Sequence, residues 1–148
     1  GDGFLTKEII QPIVLVSGFF YSKILFDPMG HLAKEREKLQ SFPERLKSET
    51  KRVFGIRLDN YLTDMDKYVD RGDSYMFYRS LIELLEVFFI ALFSSHGVYF
   101  PGNKWLKHSI SKFNLDNRAS ALLDRILSKD GDLNDKRLWF MELTKFLG

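Results

Sequence analysis

The chain contains no cysteine in its 148 residues, so disulfide bonds and thiolate metal sites are excluded. It also has no strong excess of charge, because 22 basic and 20 acidic residues give a net charge of +2. So small a charge gives no argument for a specific nucleic-acid partner. No apolar run reaches the roughly 18 residues that span a membrane, and the apolar start lacks the basic segment of a signal peptide. We therefore expect a cytoplasmic protein with no membrane partner.

Large aromatic side chains are abundant, with 14 Phe, 6 Tyr and 2 Trp making up 15% of the chain. The hydrophobic share of 45% and the charged share of 28% lie in the range of folded, globular proteins. A chain of this length can bury a substantial core, and core packing is the default role for most of these rings.

The first 30 residues differ from the rest. Two β-branched and aromatic runs, Ile9–Val16 and Phe19–Phe26, flank a Ser-Gly turn signal. This pattern predicts a short two-stranded β segment within residues 1–30, with Pro12 placing the first strand at an edge. Two strands alone are marginal in water, so the segment requires a further sheet or a helical layer. The turn Asp27–Gly30 closes it.

From residue 31 the apolar spacing becomes helical, and we predict an up-and-down bundle of five to six helices over residues 31–148. The fold class is thus mainly α, preceded by the β segment. The predicted helices are Leu32–Gln40, a segment capped by Ser41 that ends near Val69, Ser74–Ser95, Pro101–Phe113, Leu115–Ser128 and Leu133–Leu147. The helix Ser74–Ser95 is apolar on nearly all sides, a pattern typical of a central buried helix.

Charged residues on this apolar helix are the first candidate site. Arg79, Glu83 and Glu86 are spaced so that they share one stripe. Charges on an apolar surface need partners or a wet cavity, so two interpretations stay open. The stripe is an internal salt-bridge network, or it is the polar wall of a substrate cleft in which Glu83 or Glu86 acts as a general base. Just before the helix, Asp73 is a candidate N-cap, and Arg71 a candidate ligand for a phosphate or carboxylate.

The most distinctive stretch is Tyr99–Trp105. Its aromatic start is followed by Asn103, Lys104 and Trp105 in the first turn of a helix, where free N–H groups and a lysine favour an anion. The alternative is an aromatic corner that only docks the short helix. The three histidines share no ligand spacing, and the two Asp-x-Asp matches lie in a helix and a turn, so we expect no metal site.

Three stretches in this order resemble a known family. They are Ile24–Leu32 (ILFDPMGHL), Arg71–Asp73 before a long apolar helix, and Leu92–Leu106 (LFSSHGVYFPGNKWL). Together they resemble bacterial nucleotidyltransferases of the polymerase-β superfamily, of the antibiotic-modifying type. In that family a strand leaves the catalytic sheet and feeds a C-terminal, HEPN-like helical bundle.

The resemblance implies that residues 1–30 are the tail of a catalytic sheet and residues 31–148 the substrate-binding domain. The implied reaction moves a nucleoside monophosphate from a nucleoside triphosphate to a hydroxyl acceptor, with Mg²⁺ as the cofactor of the intact enzyme. The superfamily's Gly-Ser and strand-borne Asp-x-Asp are missing here, so this chain alone is expected to be inactive. Glu83 or Glu86, with Asp73 behind them, would then be the base.

The same resemblance implies that a small-molecule acceptor and the nucleotide meet Arg71, Asp73, Arg79, Asn103, Lys104 and Trp105. A different class of function also fits the sequence, namely a non-catalytic helical module for protein interaction or dimerisation. The aromatic excess would serve an interface as well as a core, and a homodimer is the simplest such assembly.

Overall fold

The computed structural model describes residues 2–115 and 117–148, with side chains from Pro12 onward apart from Asp116. Within these residues the chain forms seven α-helices and two 3₁₀ turns. The helices are α1 (Asp2–Tyr21), α2 (His31–Lys38), α3 (Glu44–Arg71), α4 (Ser74–Ser95), α5 (Leu106–Lys112), α6 (Asn117–Leu127) and α7 (Leu133–Thr144), and the 3₁₀ turns are Asn103–Trp105 and Lys145–Leu147. The prediction of a mainly helical fold is confirmed. None of the described helices is long and apolar enough to cross a membrane.

The predicted two-stranded β segment is wrong. Helix α1 covers the whole run Ile9–Val16 and continues to Tyr21, and residues 22–27 join no sheet in the described part of the chain. β-branched residues lower helix propensity by only about 0.5 kcal/mol each. Ile13 and Ser17, one helical turn apart, are both buried against the bundle, and this burial decides the local structure.

Helices α3 and α4 form an antiparallel hairpin that organises the core. Gly72 joins them with a φ of 65°, a left-handed conformation that glycine adopts without a steric penalty. Asp73 then caps α4 by accepting a hydrogen bond from the Met76 N–H at 3.1 Å, as one of its two interpretations predicted. The predicted cap by Ser41 is wrong, because Pro43 precedes the first turn of α3 and no side chain caps it.

The two halves of α4 lie in different surroundings. Every residue from Val87 to Ser94 is buried, so the second half is the centre of the bundle. In the first half Tyr75, Tyr78 and Ile82 are exposed, and this side of the helix is open to solvent. The expectation of a helix buried on all sides therefore holds for the second half only.

Helices α6 and α7 complete the bundle as a second antiparallel pair. Asp132 begins α7 with a reciprocal capping box to Asp135, as its predicted role as a cap required. Lys136 is only 1% exposed, and its Nζ donates to the carbonyl oxygens of Arg125 at 3.0 Å and Ser128 at 2.6 Å. This lysine therefore satisfies carbonyl groups at and just after the C-terminal end of α6.

Candidate functional site

The predicted stripe of charged residues lies on the exposed side of α4, which we call the acidic face (Arg79, Glu83 and Glu86). Arg79 Nε is 3.7 Å from Glu83 Oε1, and the two side chains are 61% and 45% exposed. An ion pair this exposed contributes at most about 1 kcal/mol to stability. Arg79 and Glu83 therefore form a surface ion pair, which is not the internal salt-bridge network that one interpretation expected.

Glu83 is also held by a residue of the neighbouring helix. The phenol of Tyr61 in α3 donates a hydrogen bond to Glu83 Oε2. This bond raises the pKa of Tyr61, because ionising the phenol would remove the donor and place a second negative charge beside the carboxylate. Buried Arg57 lines a small cavity together with Tyr61 and Glu83. Glu83 is thus fixed from two helices.

Glu86, one turn further along α4, has a partner from a distant part of the chain. The side-chain amide of Asn103 donates to Glu86 Oε1 at 2.8 Å. This bond places the 3₁₀ turn Asn103–Trp105 beside the acidic face. Two of the predicted site elements are therefore brought together.

The stretch Tyr99–Trp105 divides into a structural half and an exposed half. Tyr99 and Phe100 are buried, and the Tyr99 phenol donates to the Leu39 carbonyl at 3.1 Å, so this half is the docking corner that one interpretation expected. Burial raises the pKa of Tyr99. The second half, which holds Asn103, Lys104 and Trp105, is exposed. Only this half is available to a ligand.

A cavity of about 260 Å³ opens beside the 3₁₀ turn, and we call it the aromatic pocket. Its walls are Tyr21, Pro101, Trp105, His108, Ser109, Lys112 and Phe113. Lys112 Nζ lies 5.8 Å from the centroid of the Tyr21 ring and 5.5 Å from that of Phe113. Lys104 Nζ lies 5.4 Å from the Trp105 ring. Burial, and then the charge of Tyr99, raise the pKa of Tyr21.

Arg71 and Asp73 are not brought to these surfaces. Asp73 precedes Glu83 by ten residues of helix, which is about 15 Å along the axis. Its carboxylate caps α4, and the exposed Arg71 ends α3, where its charge complements the helix dipole. Both residues have local structural roles at the α3–α4 turn.

The described residues do not fit a magnesium site. Asp64 pairs with Lys67 at 2.9 Å, and Asp66 pairs with Arg137 of α7, so the two carboxylates of this Asp-x-Asp point to different partners. Within the described part of the chain, no group of three His, Asp or Glu side chains lies close enough to hold a metal ion.

Five residues of the aromatic pocket lie outside the stretches predicted from the sequence: Tyr21, His108, Ser109, Lys112 and Phe113. Tyr21 was placed in a strand, and it lies far along the chain from the others. One signal was available, since no Asp or Glu occurs between Glu86 and Asp116 while three lysines do. A segment that carries only positive charge is a candidate anion-binding surface.

Comparison with known proteins gives one match. A family model described as a domain of unknown function (DUF4037) matches residues 14–106. The matched region contains the whole acidic face and the 3₁₀ turn, but it ends before His108 and Lys112. No curated protein and no solved structure matches the chain.

Proposed function

The chain belongs to the family of the domain of unknown function DUF4037, and on this premise we propose that it is the acceptor-binding helical domain of a nucleotidyltransferase. The reaction transfers a nucleoside monophosphate from a nucleoside triphosphate to a hydroxyl group of a small molecule. The acidic face forms one wall of the cleft in which the acceptor binds.

The observation that carries the proposal is the hydrogen bond between Asn103 and Glu86 on an otherwise exposed helix face. A hydroxyl acceptor must lose its proton as its oxygen attacks phosphorus, and a positioned carboxylate serves as the general base. The Asn103 amide orients the Glu86 carboxylate by donating to Oε1, one of the two carboxylate oxygens. Glu86 is therefore the base in this proposal, and Glu83, held by Tyr61 and Arg79, positions the acceptor.

The proposal assigns Mg²⁺ and the nucleoside triphosphate to a separate catalytic part of the enzyme. Among the described residues, no group of three His, Asp or Glu side chains lies close enough to hold the metal ion. Within this chain, Arg79, Lys104 and Trp105 are the groups that border the acceptor.

A nucleotidyl-transfer assay on the complete gene product tests this function. The protein is incubated with Mg²⁺, the four nucleoside triphosphates labelled at the α-phosphate, and a panel of hydroxyl acceptors that includes an aminoglycoside and a lincosamide. We expect label to move to one acceptor, with release of pyrophosphate. Pyrophosphate release without any labelled acceptor, or no turnover at all, would contradict the proposal.

A second function, a protein-interaction module, is favoured by a different observation. Leu25, Phe26 and Met29 are 84%, 80% and 76% exposed on the irregular segment between α1 and α2. Large apolar side chains clustered on a surface mark interfaces. Size-exclusion chromatography with light scattering tests self-association of the chain, with the double variant Leu25→Ser, Phe26→Ser beside the wild type. A dimer that the double variant abolishes supports this function, whereas a monomer in both samples counts against a homodimer.

A further inference from the structure

We propose that the aromatic pocket binds a small aromatic phosphate, with its flat ring between Trp105 and the wall formed by Tyr21 and Phe113, and its phosphate beside Lys112 and His108. This inference does not rest on the proposed nucleotidyl transfer, because Glu83 and Glu86 are not among the described residues that line the pocket.

The walls of the pocket suit a flat ring. Tyr21 comes from the end of α1, Trp105 from the 3₁₀ turn and Phe113 from the end of α5, so three separate elements each contribute one ring. The Tyr21 and Phe113 rings contact each other, with their centroids 5.8 Å apart and their planes tilted by 44°, so they form one continuous wall of the pocket. Trp105 is 54% exposed although it is a large apolar residue, and it is therefore free to cover a bound ring.

The charges around the pocket suit an anion. None of the described lining residues is a carboxylate, and Lys104 and Lys112 form no ion pair with a described side chain, whereas the nearby Lys107 is paired with Asp124. The Lys112 ammonium lies close to both the Tyr21 and the Phe113 ring, so it borders the space proposed for the bound ring. A phosphate on the bound ring would meet this ammonium and the imidazole of His108.

The size of the pocket limits the ligand. A volume of about 260 Å³ is at the lower end for small-molecule sites, so it accommodates one or two fused rings and leaves the phosphate at the mouth. Both a mononucleotide and another aryl phosphate have this chemistry. A long or branched molecule would extend beyond the described walls.

Nuclear magnetic resonance of the ¹⁵N-labelled chain tests the proposal without any assay of enzymatic activity. The probe is 1-naphthyl phosphate, and the signal is the indole N–H of Trp105. Trp139 lies against Arg125, away from the pocket, and serves as the internal reference. We expect the Trp105 signal to shift and saturate while that of Trp139 stays in place.

Two half-probes separate the contributions of ring and charge. We expect 1-naphthol, which lacks the phosphate, and inorganic phosphate, which lacks the ring, each to bind at least about tenfold more weakly than 1-naphthyl phosphate. Equal binding of 1-naphthol would reduce the pocket to a non-specific apolar crevice and overturn the proposal. Absence of a saturable shift with 1-naphthyl phosphate would also overturn it.

Matched variants connect binding to the named residues, with the backbone N–H of His108 as the signal. Trp105→Ala and Lys112→Gln are expected to weaken binding of 1-naphthyl phosphate about tenfold or more, whereas the exposed controls Tyr75→Ala and Lys129→Gln bind as the wild type does. Wild-type affinity in both pocket variants would contradict the proposal.

The source of the phosphate is decided by adenosine monophosphate in the same titration. Tighter binding of this nucleotide than of 1-naphthyl phosphate indicates a nucleotide, and weaker binding indicates another aryl phosphate. Both results support the site. A single-stranded oligonucleotide that binds where neither small phosphate does would assign the surface to nucleic acid and overturn the proposal.

Discussion

The side-chain amide of Asn103 donates to Glu86 Oε1 at 2.8 Å and so joins the 3₁₀ turn Asn103–Trp105 to the acidic face of α4. The same turn carries Trp105, which forms a wall of the aromatic pocket. One short element therefore borders both surfaces. A change that releases Asn103 from Glu86 is expected to disturb both of them.

A double-mutant cycle measures this relationship. We expect Asn103→Ala and Glu86→Ala to be coupled by about 0.5–1.5 kcal/mol in the free energy of unfolding, because each change removes the same charge-assisted hydrogen bond. Urea denaturation of the single and double variants gives the coupling. The control cycle combines Asn103→Ala with Glu142→Ala in the exposed part of α7, and there the effects should add. Additivity in both cycles would show that the bond is not formed in solution.

The contact between Tyr61 and Glu83 predicts a change in the titration of one tyrosine. Glu83→Gln removes the carboxylate that holds the phenolic proton, so the pKa of Tyr61 should fall toward its ordinary value of 10.0. ¹³C spectra of labelled tyrosine report each ring separately. Tyr99, whose pKa is raised by burial, is the control and should titrate as in the wild type. An unchanged midpoint for Tyr61 would exclude the bond.

The raised pKa values of Tyr21, Tyr61 and Tyr99 predict how stability depends on alkaline pH. The folded protein keeps these protons at pH values where the unfolded chain loses them. Their contribution to stability is therefore complete below about pH 10 and is lost as the pH rises through the folded-state values. Urea denaturation between pH 8 and pH 12 should show this decrease. It should begin near pH 10, because the tyrosines of the unfolded chain have a pKa of about 10. In Glu83→Gln the decrease should be smaller. A stability that rises over this range would contradict the assignment.

The buried amine of Lys136 predicts a large structural effect. Lys136→Met keeps most of the side-chain volume but removes the amine that donates to the Ser128 carbonyl and one of the donors to the Arg125 carbonyl. We expect a loss of about 2–4 kcal/mol in the free energy of unfolding. The exposed Lys129→Ala is the control and should cost less than about 0.5 kcal/mol. Equal losses of stability in the two variants would show that the hydrogen bonds of the buried Lys136 amine do not stabilise the fold.

Much of the bundle was predictable from local signals. Helix α4 was predicted with its observed limits, because an N-cap at Asp73 precedes it and a glycine follows it shortly after its end. The cap at Asp132 was predicted for the same reason. Such signals act within a few residues, so they can be recognised without knowledge of the tertiary structure.

Helix α1 could not be predicted from local sequence signals. Its β-branched residues favour a strand, and apolar Leu15 is 73% exposed, so the helical spacing of Ile13 and Ser17 is hidden in the sequence. Packing against the bundle decides this segment. A tertiary contact of this kind has no counterpart in sequence spacing.

The candidate site also has one part that the sequence predicts and another that only the folded chain shows. The stripe of Arg79, Glu83 and Glu86 followed from helical spacing alone. Its partners, Tyr61 and Asn103, lie 22 and 17 residues away from Glu83 and Glu86, and only the folded chain shows these pairings. The aromatic pocket depends on Tyr21 reaching α5, which the strand prediction for residues 19–26 had excluded.

The most direct test of the central claim is the rate of nucleotidyl transfer by Glu86→Gln in the complete gene product. The change keeps the shape and the hydrogen bond from Asn103 but removes the general base. We predict a kcat lower by about 10²–10⁴-fold, with an unchanged KM for the nucleoside triphosphate and full activity in the control Glu142→Gln. A kcat within twofold of the wild type would contradict the assignment of the acidic face to the acceptor.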